Sequence, residues 1–143
     1  MAIVNIRDTG RNSAKTADVR TLATKVQKPS DTEAITAANT ITAAESGTRF
    51  VMNTATARIQ TLPTPAAGLE YWFYVGATEP TGTHTIVTAS SANIIVGNVS
   101  SPEDAAGNVA TVTDADTISL VASKAVHGDF VHVWSDGTNW YLD

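Results

Sequence analysis

Cysteine is absent from the 143 residues. That excludes a disulfide framework, a thiolate metal site and a cysteine nucleophile. No apolar run approaches the roughly 20 residues that cross a bilayer as a helix. The opening Met1-Ala-Ile-Val-Asn-Ile-Arg7 lacks the charged-then-apolar order of a secretory signal. The cytoplasm is therefore the expected place of folding, and the single Asn-x-Ser site at Asn98 carries no weight. Charged residues make up only 16% and aromatics only 6%, so the placement of each becomes informative.

What is abundant is small and β-compatible. Alanine and threonine each occur 22 times. Threonine suits a pleated surface and small residues suit close contacts, so the composition reads as a thin, tightly packed β-protein. Its length is one domain, or one domain plus an arm.

Charge divides the chain. Residues 1–30 hold Arg7, Arg11, Lys15, Arg20, Lys25 and Lys28 against Asp8 and Asp18, a net of +4. Residues 31–143 hold Arg49, Arg58 and Lys124 against twelve acids, a net of −9. The leading segment is either a solvated tail or an arm that lies on an acidic surface. Within it, Ile3, Val4 and Ile6 alternate briefly, and Val19, Leu22, Ala23 and Val26 fall at the spacing of one short helix over 12–27. Lys28-Pro29-Ser30 then breaks the pattern. The expected division is a basic arm over 1–34 and a β-domain over 35–143.

Beyond the arm, turn signals recur every 8–12 residues or so. Strands are expected at 35–44, 49–53, 57–62, 69–75, 83–88, 93–96, 108–113, 117–122, 129–135 and 138–142. About ten short strands at this spacing predict an all-β fold, an antiparallel β-sandwich of jelly-roll type with an extended N-terminal arm. No repeat of roughly 20–50 residues is visible, which sets solenoids and propellers aside.

The centre of the pattern is Leu69-Glu-Tyr-Trp-Phe-Tyr-Val75. A strand sends alternate side chains to opposite faces. Leu69, Tyr71, Phe73 and Val75 thus share one face, and Glu70, Trp72 and Tyr74 the other. Both faces are aromatic. Each ring can bury about 150–250 Å², so the second face needs a cover: another sheet, an arm or a neighbouring subunit.

The closing stretch reads as a hairpin, with Asp136-Gly137 as a two-residue turn. That register sets Val133 opposite Trp140 and Val131 opposite Leu142, with His132, Trp134 and Tyr141 on the other face. Eight of the nine aromatics lie here or in Tyr71–Tyr74, so the two stretches are expected to meet.

Chemistry is hard to find. His84, His127 and His132 have no companion at metal-ligand spacing, and strand or turn positions account for them. Asp114-Ala-Asp116 offers too few oxygens for calcium and reads as an acidic turn. Glu103-Asp104 reads as a solvated loop. No serine sits in a nucleophile elbow, and phosphate-binding glycine patterns are missing. No catalytic residue, metal ligand or cofactor is assigned, and the chain is not read as an enzyme. The arm has six cations but no aromatics, and the acidic domain argues against nucleic acid as partner. Trp72, Trp134 and Trp140 are the candidates should the aromatics stack on sugar rings. Core or subunit contact is the commoner role for clustered aromatics.

Two stretches carry a resemblance. One is Ile41-Thr-Ala-Ala-Glu-Ser-Gly-Thr-Arg-Phe-Val-Met-Asn53, continuing through Thr61-Leu-Pro-Thr-Pro-Ala-Ala-Gly-Leu-Glu-Tyr-Trp-Phe-Tyr-Val75. The other is Gly128-Asp-Phe-Val-His-Val-Trp-Ser-Asp-Gly-Thr-Asn-Trp-Tyr-Leu142. Both are similar to virion proteins of tailed bacteriophages, small capsid decoration (cement) proteins among them. Modules of phage tail fibres share the pattern. The resemblance covers about residues 40–143, misses the arm, and carries no catalytic residues.

It implies a β-domain that assembles on the outer surface of the capsid, often as a homotrimer. The expected partner is the major capsid protein, without nucleic acid or membrane. The arm residues Ile3, Ile6, Arg7, Arg11, Lys15, Arg20, Leu22, Lys25 and Lys28 are the expected capsid clamp. Tyr71, Trp72, Phe73, Tyr74, Trp134 and Trp140 are the expected core or subunit interface. The alternative is a tail or fibre module that binds host-surface glycan.

Overall fold

A computed structural model describes residues 31–77, 80–100 and 109–143. Its strands are β1 (Thr32–Ile35), β2 (Asn39–Thr40), β3 (Arg49–Met52), β4 (Ile59–Thr61), β5 (Glu70–Val75) and β6 (His84–Val87). They continue as β7 (Ile95–Ser100), β8 (Val109–Ala115), β9 (Thr117–Leu120), β10 (Phe130–Ser135) and β11 (Trp140–Leu142). Among the described residues, helix is limited to 3-10 turns at Ala43–Glu45 and Ala89–Ser91. None of it is long and apolar enough to cross a membrane. The expected clamp residues and the possible helix at 12–27 lie outside the described residues, as does Glu103-Asp104.

The chain is nearly all β, in two mixed sheets. One has the order β1-β3-β5-β10-β11-β7-β8 and the other β2-β4-β6-β9. The first six strands alternate between the sheets. As a result β1, β3 and β5 run parallel in one, and β2, β4 and β6 run parallel in the other. Parallel neighbours need a crossover, and here each crossover is a strand of the opposite sheet instead of a helix. Most later pairings are antiparallel: β7 with β8, β6 with β9, and β10 with both β5 and β11, while β11 runs parallel to β7. The antiparallel expectation therefore gives way to mixed pairing.

The parallel first half coils as a solenoid does, although no repeat is legible in the sequence. Its turns open at Thr32, Arg49 and Glu70 and are of unequal length. The single strand expected over 35–44 is broken in two for the same reason, since the chain crosses between sheets at 36–38.

Side-chain hydrogen bonds hold these crossings, two of them from the buried Gln60 and His84. A crossing loop lacks a ladder partner, so its carbonyls must find other donors. The Gln60 amide donates to the Ala37 carbonyl at 3.2 Å, and the Arg58 Nε donates to Thr36 at 2.8 Å. His84 Nε2 lies 3.0 Å from the Thr54 carbonyl, which makes that nitrogen the protonated one. In the crossing from β2 to β3, the Glu45 carboxylate accepts from the Thr42 N–H at 2.7 Å and the Thr42 hydroxyl at 2.6 Å.

One core serves both sheets. It gathers Ile35, Ile41, Phe50, Met52, Leu62, Leu69, Tyr71, Phe73, Ile86, Ile95, Val133, Trp140 and Leu142. Phe50 stacks on Phe73 at 5.4 Å, and Tyr71 tilts against Trp140 at 5.8 Å. Each such side chain contributes about 1.5–3 kcal/mol by leaving water. The strict inside–outside alternation along β5 is what delivers its two faces to different places.

Candidate functional site

The face of β5 turned away from the core belongs to an aromatic platform. The pairing of β5 with β10 puts Trp72 beside His132, Tyr74 beside Phe130 and Glu70 beside Trp134. The pairing of β10 with β11 puts Trp134 beside Tyr141. On the other flank, β3 brings Arg49 beside Trp72 and Val51 beside Tyr74. Phe130 is 58% exposed and Trp134 40%, while Trp72, Tyr74, His132 and Tyr141 are half-buried.

The rings pair across the strands. Trp72 and His132 lie 4.4 Å apart and 10° from parallel. Trp134 and Tyr141 lie 4.4 Å apart at 16°, and Tyr74 and Phe130 lie 5.5 Å apart at 25°. Strands are about 4.8 Å apart, and rings lying flat on the sheet could not approach so closely. The rings therefore stand on edge and present their rims to solvent. Arg49 sits over the remaining face of Trp72, 5.7 Å from the ring centroid, in the range of a cation–π contact. Both faces of Trp72 are thus occupied.

Charged groups lie on both flanks of this surface. Arg49 lies on the β3 side. On the β11 side are Asp143 and, at the hairpin tip, Asp136. Between them, His132 Nε2 is 3.7 Å from Glu70 and Nδ1 is 3.8 Å from Asp143.

The hairpin tip differs from the two-residue turn expected of Asp-Gly. Observed pairs are Val133 with Leu142, Trp134 with Tyr141 and Ser135 with Trp140, which leaves residues 136–139 as the loop. The Asp136 carboxylate organises it, accepting the N–H groups of Thr138 at 2.7 Å and Asn139 at 2.8 Å. The Tyr141 hydroxyl donates to the same carboxylate at 3.0 Å. These donors hold the Asp136 carboxyl below the usual aspartate range, the Asn139 N–H contributing most. Gly137 takes the positive φ of 105° that the tight loop requires. The register differs from the expected one by two residues. A two-residue shift preserves parity, so the facing of every side chain is unchanged.

The six residues expected at a core or subunit interface divide cleanly. Tyr71, Phe73 and Trp140 are fully buried, while Trp72, Tyr74 and Trp134 belong to the platform. Trp140 is therefore withdrawn as a sugar-stacking candidate. Tyr141, Phe130, Arg49 and Glu70 complete the platform but were not among the expected interface residues. Tyr141 was findable from hairpin parity, and Phe130 from its even spacing with His132 and Trp134. Arg49 and Glu70 needed the parallel pairing of β3 with β5.

Elsewhere, burial and the nearby Glu45 push the Tyr71 phenol up to about 12. Its hydroxyl donates to the Thr42 carbonyl at 3.0 Å. Among the described residues, no three histidine or carboxylate side chains come together to hold a metal ion. No protein-family model, curated protein or solved structure matches this chain.

Proposed function

We propose that the protein is a structural component of a tailed-phage virion, a capsid decoration protein that performs no catalysis. Its body, read as a jelly-roll-like sandwich, works as an oligomer on the outer capsid surface. Its basic N-terminal segment clamps neighbouring major capsid subunits together. The observation that carries this reading is the platform of on-edge aromatic rings on an otherwise threonine- and alanine-rich body. Such a surface suits burial against protein. The phage-like segments Ile41–Asn53, Thr61–Val75 and Gly128–Leu142 support it, as does the contrast between a +4 leader and a −9 body.

A second reading, a tail or fibre module that binds host-surface glycan, draws on the exposure of Phe130 and Trp134. Sugar stacking needs an open ring face, however, and Trp72 has both faces occupied.

Deleting residues 1–30 tests the first reading. The truncated protein should stay folded and soluble but lose binding to purified heads, and retained binding overturns the clamp. Sugar binding that Trp134→Ala abolishes without unfolding decides for the glycan module.

A further inference from the structure

We infer that the aromatic platform is where two copies of this chain pair face to face, about a two-fold axis parallel to the strands and midway between β5 and β10. The inference rests on the reading of the body as an oligomer, names the surface that makes it one, and puts a two-fold pair in place of the homotrimer that the resemblance implies.

The argument starts from one row of the sheet. Strand register places Arg49, Trp72 and His132 side by side on β3, β5 and β10. The next place in the row, just past the end of β11, falls to Asp143, whose N–H donates to the His132 carbonyl and whose carboxylate lies 3.8 Å from its ring. The row thus reads cation, aromatic, imidazole, anion, over three strand spacings of about 4.8 Å each.

Such a row is complementary to itself when turned over. The proposed axis carries β3 of one copy onto β11 of the other and β5 onto β10. Arg49 then meets the second copy's Asp143, twice by symmetry, and Trp72 meets His132. The adjacent row brings Tyr74 against Phe130. In the third row Glu70 meets Trp134, whose indole N–H is a donor for the carboxylate. Each residue of β5 meets in the second copy the same residue that flanks it within its own chain. A shift of one strand spacing in either direction takes Arg49 off Asp143, so the charges select the register. The on-edge rings suit this pairing, because their exposed rims can interdigitate between facing sheets.

The test is sedimentation of the full chain over a range from about 1 to about 500 µM. The expected particle has twice the 15.0 kDa chain mass. Asp143→Arg, at a side chain 80% exposed, should raise the dimer dissociation constant at least about tenfold by setting it against Arg49. Arg49→Asp should do the same, and the double exchange should restore pairing. A monomer at every concentration, a trimer, or a dimer indifferent to both single variants overturns the inference. Binding of the same proteins to purified heads is scored separately. A trimer that still decorates heads refutes the two-fold contact and leaves the proposed function standing, while a dimer that ignores heads does the reverse.

Discussion

Trp134 on β10 and Tyr141 on β11 lie face to face, their ring centroids 4.4 Å apart. The Tyr141 hydroxyl reaches on to the Asp136 carboxylate at 3.0 Å. The most exposed tryptophan of the platform is thereby linked, through one ring, to the residue that shapes the hairpin loop. Loop order and platform order are coupled, and they can be perturbed from either end.

Asp136→Ala removes the acceptor for two backbone N–H groups and one phenol. Because the folded-state value lies below the ordinary 3.8, this carboxylate stabilises the fold above that pH. The contribution disappears as pH falls through the lowered value. The unfolding midpoint of the variant should therefore be lower than that of the parent at pH 7, and the two should converge in strong acid. Thermal melts at both pH values check this, and a gap that persists in acid contradicts it.

The two tryptophans of the last hairpin should part company. Trp140→Ala opens a cavity in the core and should cost about 3–5 kcal/mol, enough to threaten folding. Trp134→Ala forfeits a ring stack worth about 0.5–1.5 kcal/mol together with partly exposed surface, so it should cost less than Trp140→Ala while weakening self-association. Denaturant titration measures the first pair of numbers and sedimentation the last.

Tyr71 makes the fold sensitive to alkali. Its phenol is pushed from the ordinary 10.0 up to about 12. A raised value means that the stability it supplies is complete below pH 10 and is lost as pH climbs toward 12. By about pH 11, where the unfolded phenol is ionised and the folded one is not, the loss should be on the order of 1 kcal/mol. Tyr71→Phe gives up the bond to Thr42, about 1 kcal/mol, and should remove much of this alkaline decline. Denaturant midpoints at pH 8 and about pH 11 compare them.

Gly97 marks where β7 joins β11. Its φ of 144° is open to glycine, and an added Cβ would lie 2.7 Å from the Leu142 carbonyl oxygen. That neighbour is backbone held in a ladder and cannot swing aside. Gly97→Ala should therefore destabilise by about 2–4 kcal/mol. Hydrogen exchange of the β11 amides should rise with it.

Period-two alternation was enough to assign faces. It separated Tyr71 and Phe73 from Trp72 and Tyr74 without saying which pair turned inward, and it put His132, Trp134 and Tyr141 together although the hairpin register differs by two. Local chemistry of this kind acts between near neighbours in the chain, so it is written in residue order. The order of strands is not, because it depends on where distant segments find cover. Only packing against a shared core separates β1 from β2 into different sheets, makes β3 and β5 parallel, and lays Arg49 beside Trp72. Those long-range pairings turn a row of aromatics into a surface that sets Arg49, Trp72, His132 and Asp143 in one line across the strands.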